Sequence, residues 1–227
     1  MPKTKLNSNQ LDIELIPGYD STKTQTLVDE NGTLKWKTEK ICWSDFNSTS
    51  YIDSNETCPS YTSAEVLIKL SACYRTDTES YGQVFISSSS GNTNYGFRQG
   101  VGGGYIDIYN GSNHIADQNL LDYSRICYWF KGVCDGSGNT SLYSLPGDQY
   151  TLDTLPTNIS DWTFRQSCSG GFTFASKNFR VGASGTWHGA TCIIYECIMK
   201  LDNELYFDLQ SEDYKVYGTL KKDVWYE

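Results

Sequence analysis

The chain has 227 residues, among them 17 Tyr, 9 Phe and 6 Trp, in a background of Gly, Ser, Thr and Asn. That is a strand-and-turn composition, long enough for one large β-domain to bury its own core. The formal net charge is −9 and no basic run exceeds Lys221-Lys222. A phosphate backbone or an anionic membrane surface is therefore disfavoured as a partner.

Residues 1–10 are polar, lack an apolar stretch of signal-peptide type, and are expected to carry no secretion signal. Leu11, Ile13 and Leu15 alternate with Asp12 and Glu14 as a short strand ended by Pro17-Gly18. Two further strand-like runs flank Asp29-Glu30-Asn31-Gly32, a hairpin signal. Residues 1–40 hold too little apolar area to fold alone and read as an attachment and oligomerisation arm. Its partner-facing candidates are Leu11, Ile13, Leu15, Tyr19 and Trp36.

The globular part is set at 41–227. Residues 64–74 alternate cleanly, with Val66, Ile68, Leu70, Ala72 and Tyr74 on one face. Val84-Phe85-Ile86, Tyr95-Gly96-Phe97 and Tyr105–Tyr109 follow as short strands, and 112–122 is the nearest approach to a helix. Ile126, Tyr128 and Phe130 alternate with Cys127, Trp129 and Lys131, a strand with two large faces. Asp135–Asn139 is a turn, then strand signals recur at Ser141–Tyr143, Trp162–Phe164 and Phe172–Phe174. Past residue 201 they recur at Leu205–Leu209, Tyr214–Leu220 and Val224–Tyr226. About a dozen short strands at steady intervals predict an all-β, antiparallel jelly-roll sandwich.

Within 179–201, simple alternation puts Ile193, Tyr195, Cys197, Met199 and Leu201 on one apolar face. Cys192, Ile194, Glu196, Ile198 and Lys200 fall on the other. Cys192 and Cys197 then point to opposite faces and cannot pair. Cys127 and Cys134 are candidates to bridge a hairpin. Free thiols serving as small apolar side chains are the preferred reading of all eight cysteines. With no C-x-x-C and two distant histidines, zinc spacing is absent.

Phe179-Arg180-Val181-Gly182, Gly189–Glu196 and the earlier Tyr51-Ile52-Asp53 carry a family resemblance. Their order resembles the closing strands of laminin-G-like, concanavalin A-like lectin domains, in copies similar to those of tailed-bacteriophage structural proteins. The segment 18–38 likewise resembles leader segments of phage fibre and capsid-associated proteins. The resemblance implies a concanavalin A-like sandwich behind an extended N-terminal arm. It also implies a virion-surface location, on a head fibre or capsid decoration, with the arm binding the capsid or another virion protein. A homotrimer is the expected assembly. A tail-fibre or baseplate receptor-binding module, a carbohydrate-active enzyme and a bacterial surface lectin are the alternatives. The sequence departs from the phage pattern after Glu196, where Phe207-Asp208-Leu209 lacks the usual proline.

Enzymes on this fold align carboxylates as E-x-D-x-E along one strand, and no such string occurs. No catalytic residue is therefore assigned. Glycan binding needs an aromatic plate and polar readers of hydroxyls. Trp187, His188, Trp162 and Tyr95 are the carbohydrate-binding candidates, with Trp43 and Tyr51 also weighed as plates and Asn94 and Asn113 as readers. Core packing competes for each aromatic. No cofactor is assigned. The calcium of many family members would draw on Asp107, Asp117 and Asp122, which form no D-x-D-x-D array.

Overall fold

The structure, a computed structural model, describes residues 23–30, 32–47, 49–71, 83–88, 95–99, 106–110, 114–116, 127–135, 137–169, 174–182 and 192–226. The chain divides into two compact units, Met1–Lys40 with Val224–Glu227, and Ile41–Asp223. In the first, β1 (Gln25–Glu30) pairs antiparallel with β2 (Thr33–Ser44), from Gln25↔Thr38 to Glu30↔Thr33. The hairpin expected around Asp29–Gly32 is present, with Asp29 and Glu30 inside β1: Gly32 has φ +83° and donates its N–H to Asp29 Oδ1 at 2.7 Å. Such a two-residue turn needs left-handed backbone, which glycine adopts without steric cost.

The second unit is an antiparallel jelly-roll β-sandwich. Its strands begin with β3 (Tyr51–Thr57), β4 (Ala64–Ser71), β5 (Gln83–Val84), β6 (Ile86–Ser88), β7 (Tyr95–Gln99), β8 (Ile106–Asn110) and β9 (His114–Ala116). They continue with β10 (Cys127–Cys134), β11 (Asn139–Pro146), β12 (Thr163–Ser169), β13 (Asn178–Val181), β14 (Ile194–Leu201), β15 (Glu204–Asp208) and β16 (Tyr214–Tyr217); β17 (Lys221–Tyr226) ends the chain. The long sheet runs β2-β14-β4-β10-β11-β12, with β15 also on β14; a second runs β16-β3-β13-β6 and a third β5-β7-β8-β9. The run read as one strand at Val84–Ile86 is split between two sheets by the buried Phe85, and the near-helical stretch 112–122 contains β9 instead.

The main core lies between the long sheet and β3, β6 and β13. Val66, Ile68, Leu70, Tyr128, Phe130, Ile194 and Met199 meet Ile52, Ile86, Phe179 and Val181. A chain of ring contacts crosses it, from Phe174 to Phe179 (5.4 Å), Phe207 (5.1 Å), Tyr214 (5.9 Å) and Trp43 (6.4 Å). The two large faces expected of β10 are both used. Trp129, opposite in phase to Tyr128 and Phe130, joins Leu67, Leu145 and Trp162 in a second cluster. Tyr150, Leu152 and Leu155 pack on that cluster, and the Tyr150 carbonyl accepts from Trp129 Nε1 at 3.0 Å and Lys69 Nζ at 3.4 Å.

Strand β14 departs from simple alternation. Its register against β4 shifts between Ile194↔Leu70 and Glu196↔Lys69, a bulge that takes up one extra residue. Ile194 therefore shares the core face with Cys197, Met199 and Leu201, whereas Ile193 is 37% exposed and Tyr195 half-buried. Cys192 and Cys197 accordingly enter the same core cluster rather than opposite faces. The bulge leaves β2 and β14 with one register pair, Ile194↔Trp43. The Gln210 side chain fills in: Oε1 accepts from Ile41 N at 2.8 Å, and Nε2 donates to Ile41 O at 2.9 Å and Tyr195 O at 3.0 Å. Backbone groups that lose their ladder partner inside a fold need such a substitute.

The cysteines at 42, 58, 127, 134, 192 and 197 are free and buried. Burial pushes the Cys42 thiol up to about 11 and Cys58 up to about 12. The candidate Cys127–Cys134 bridge is ruled out by the strand itself. The two stand at opposite ends of β10, about 23 Å apart at the rise of an extended chain.

Candidate functional site

The face of the β16-β3-β13-β6 sheet turned away from the core carries Tyr51, Asp53, Arg180, Lys215 and Tyr217. Register pairs Tyr217 with Tyr51, Lys215 with Asp53, and Arg180 with Asp53. Ile52 and Val181 are fully buried on the core side, so their strand neighbours Tyr51, Asp53 and Arg180 stand on the other. Tyr51 stacks on Tyr217 with centroids 4.9 Å apart and planes at 22°. From the other neighbouring strand the Arg180 guanidinium carbon lies 4.4 Å from the Tyr51 centroid. A guanidinium over a tyrosine face contributes about 0.5–2 kcal/mol, more where water is excluded. The result is a layered guanidinium–ring–ring unit that ends in Tyr217, 41% exposed on the edge strand.

Asp53 lies beside this unit, two residues along β3 from Tyr51 and opposite Lys215. Its side chain is 6% exposed, and Oδ2 accepts from Arg180 Nε at 3.2 Å. Burial raises its pKa above 3.8, opposed by the charge and hydrogen bond of Arg180, by a hydrogen bond from the Asn178 side chain, and by the charge of Lys215. Oδ1 is buried without a hydrogen-bond partner. Gly182 directly follows β13, with φ +89° and a Cβ that would sit 1.8 Å from Phe46 Cδ1, so only glycine fits. The Ser54 hydroxyl accepts from Phe179 N at 3.0 Å and donates to Glu56 O at 2.8 Å, bridging the irregular β3–β13 register.

The structure distributes the sequence candidates widely. Trp162 is not a surface plate: it is 5% exposed in the second core cluster, its Nε1 donates to Pro156 O at 3.0 Å, and Lys131 Nζ lies 5.0 Å over its ring. Trp43 is also a core residue, with Nε1 donating to Tyr214 Oη at 3.1 Å. Tyr95 stands on β7 opposite Asn110, its side chain outside the described residues. Trp187, His188, Asn94 and Asn113 also lie outside them, as do the arm residues Leu11, Ile13, Leu15 and Tyr19. Trp36 is half-buried on β2 opposite Leu27. Of the plates weighed from sequence, Tyr51 is the one placed in the stack. Its partners Arg180, Lys215 and Tyr217 were not named as site residues. Tyr51-x-Asp53 and Lys215-x-Tyr217 each signal two side chains on one strand face, but neither pattern says which strands pair.

A second concavity, of about 340 Å³, opens near Ser63, Glu65, Asp135, Lys200 and Asn203. Ala64, Val133 and Cys134 line it as well, and it contains no aromatic ring. Among the described residues no three metal-ligating side chains converge; Asp107 stands on β8, and Asp117 and Asp122 lie outside those residues.

No protein-family model and no curated protein matches the chain. Among solved structures it is similar to a native heptameric SAP-like pentraxin from Limulus polyphemus, with TM-score 0.52 and 9% identity, covering 82% of this chain and 94% of that one. A functionally unknown protein from Saccharomyces cerevisiae matches with TM-score 0.39 and 12% identity, over 79% and 93% of the two chains. The binding domain of botulinum neurotoxin DC in complex with SialylT matches with TM-score 0.39 and 10% identity, over 82% of this chain and 49% of that one. The pentraxin likeness is one of fold.

Proposed function

We propose that this chain is a glycan-binding β-sandwich of a tailed-phage virion, worn as a head fibre or capsid decoration and displayed as a homotrimer through residues 1–40. The glycan reading rests on one observation above all, the Arg180–Tyr51–Tyr217 stack beside the buried Asp53 on one sheet face. A rigid ring offers a flat apolar surface to the C–H face of a sugar, and nearby charged groups read its hydroxyls. Binding rather than turnover is the activity such a surface supports. Along β15 (Glu204–Asp208), Asp208 Oδ1 accepts from Gln210 N at 2.8 Å. The virion setting is supported by the phage-like order of the motifs at 51–53, 179–182 and 189–196.

One ring contributes on the order of 1 kcal/mol beyond area burial, so a single site binds a monosaccharide in the millimolar range. Repetition on a trimer or a particle raises this by avidity. The test is a panel of bacterial surface polysaccharides probed with bead-displayed full chain, alongside light scattering of the free chain. Retention on at least one polysaccharide and a trimeric mass are expected. Absence of any retention overturns the glycan reading, and a monomeric mass overturns the trimer.

A further inference from the structure

We infer that Tyr217 and Lys215 of β16 take a pyranose bearing a carboxylate, of the hexuronate class, with its ring on the free face of Tyr217 and its carboxylate on the Lys215 ammonium. This deepens the glycan reading above and rests on it. The first ground is where the ring faces. Tyr51 covers one side of Tyr217 at 4.9 Å, and β16 ends its sheet, so the other side looks off the sheet edge. Tyr217 is 41% exposed. A sugar stacked there reaches neither Tyr51 nor the enclosed Asp53; the charged side chain beside it is Lys215. The two residues stand two positions apart on one face of the strand, about 7 Å along it. The flexible four-carbon stem of lysine spans that interval.

The second ground is charge. Arg180 and Lys215 both stand in register with Asp53, two cations against one carboxylate. Asp53 is held by Arg180 Nε at 3.2 Å and by a hydrogen bond from the Asn178 side chain, and its own side chain is 6% exposed. Lys215 is exposed and forms no ion pair among the described residues. Asp213 lies on the far side of Lys215 from Tyr217 and accepts from Asn55 Nδ2. The open charge next to the free ring face is therefore positive. The net charge of −9 opposes an acidic ligand at long range. At physiological ionic strength, exposed charges more than about 8 Å away are largely screened, whereas an ammonium–carboxylate contact is not.

The third ground is that β16 is tied down at both ends. At its start the Tyr214 ring lies 5.9 Å from Phe207, and its hydroxyl accepts from Trp43 Nε1 at 3.1 Å. Past its end Thr219 N donates to Ser50 Oγ at 3.0 Å, and Gly218, at φ +68°, has no room for a Cβ beside Ser50. Tyr217 is held from behind by Tyr51, which is itself held by Arg180. The plate is thus fixed before a ligand arrives, and the ordering cost of binding falls on the lysine.

The test uses the full chain and two matched probe sets: methyl hexuronates of gluco, galacto and manno configuration, and the corresponding neutral methyl hexopyranosides. Affinities are compared for wild type, Tyr217→Ala and Lys215→Gln, with melting curves on each. At least one hexuronate is expected to bind about fivefold more tightly than its neutral partner, the upper end for one exposed ion pair. Lys215→Gln should erase that preference and leave the neutral sugar as it was. Salt at about 1 M should do the same to the wild type, because the screening length falls to about 3 Å. Tyr217→Ala, an edge-strand change that leaves the core intact, should weaken both sets about fivefold. Equal affinity for the two sets, a preference that survives Lys215→Gln, or binding untouched by Tyr217→Ala overturns the inference while the glycan reading stands. Binding of neither set overturns it too, and with no polysaccharide retained on beads the glycan reading falls as well.

Discussion

Asp202 illustrates how single side chains hold the loops of the second unit. It occupies the two-residue β14–β15 turn with Asn203, at φ 49° and 70°, a left-handed pair that Asp and Asn tolerate better than most residues. Its Oδ1 accepts from Thr62 N (3.0 Å), Thr62 Oγ1 (2.7 Å) and Ser63 N (2.8 Å), tying the β3–β4 connection to the turn. The Thr62 hydroxyl, followed by the Ser63 and Thr62 N–H groups, lowers its pKa below 3.8. A carboxyl depressed in the folded state contributes stability above its unfolded pKa and loses it as pH falls through the folded one. Asp202→Asn keeps the backbone conformation and removes the charge. Its melting temperature should fall below wild type at neutral pH, and the gap should close between about pH 5 and about pH 2. A gap independent of pH would mean that the charge contributes nothing. Gln210 makes a comparable point for neutral groups. Gln210→Ala removes all three bonds to Ile41 and Tyr195 and should cost about 2 kcal/mol by denaturant titration. A change below about 0.5 kcal/mol would mean that water replaces the amide.

At the scale of the strand, β14 separates what alternation reveals from what it hides. In β4 and β10 the period of two read directly from the residues predicts the buried sets, because neither strand is interrupted. In β14 the same reading puts Ile193 inside and Ile194 outside, the reverse of their burial. Ile193 and Ile194 are chemically identical neighbours, so no hydrophobic pattern marks the bulge. It becomes visible only once β4 fixes the register on one side and Gln210 patches the other. The consequence is measurable. Ile194→Ala should cost about 3 kcal/mol, as for a fully buried aliphatic side chain. Ile193→Ala should stay within about 0.5 kcal/mol. Denaturant midpoints for the pair check the register directly, since an unbulged strand would exchange the two results. The same irregularity explains why Cys192 and Cys197 share a core although five positions apart on what looks like one strand.

For the whole molecule, fold was more legible than site. Frequent turns, aromatic strands and the lack of a periodic helix suffice to specify a sandwich, since each is a local property. The candidate site is a non-local property. It takes Tyr51 and Asp53 from β3, Arg180 from β13 and Lys215 and Tyr217 from β16, brought together by pairings more than a hundred residues apart in sequence. Sequence pointed to Trp162 because tryptophan is the strongest sugar plate, yet its size makes it an equally good core residue, and here it packs under Lys131. Tyr217 carries no such signal, because a tyrosine near the end of a polar strand is unremarkable until Tyr51 is found behind it. We propose this sheet face as the place where a sugar binds. Chemical-shift mapping on isotope-labelled full chain, titrated with the neutral methyl hexopyranosides, tests it most directly. Shifts should centre on Tyr51, Asp53, Arg180, Lys215 and Tyr217. Shifts centred instead on the cleft of Ser63, Asp135, Lys200 and Asn203 would contradict it.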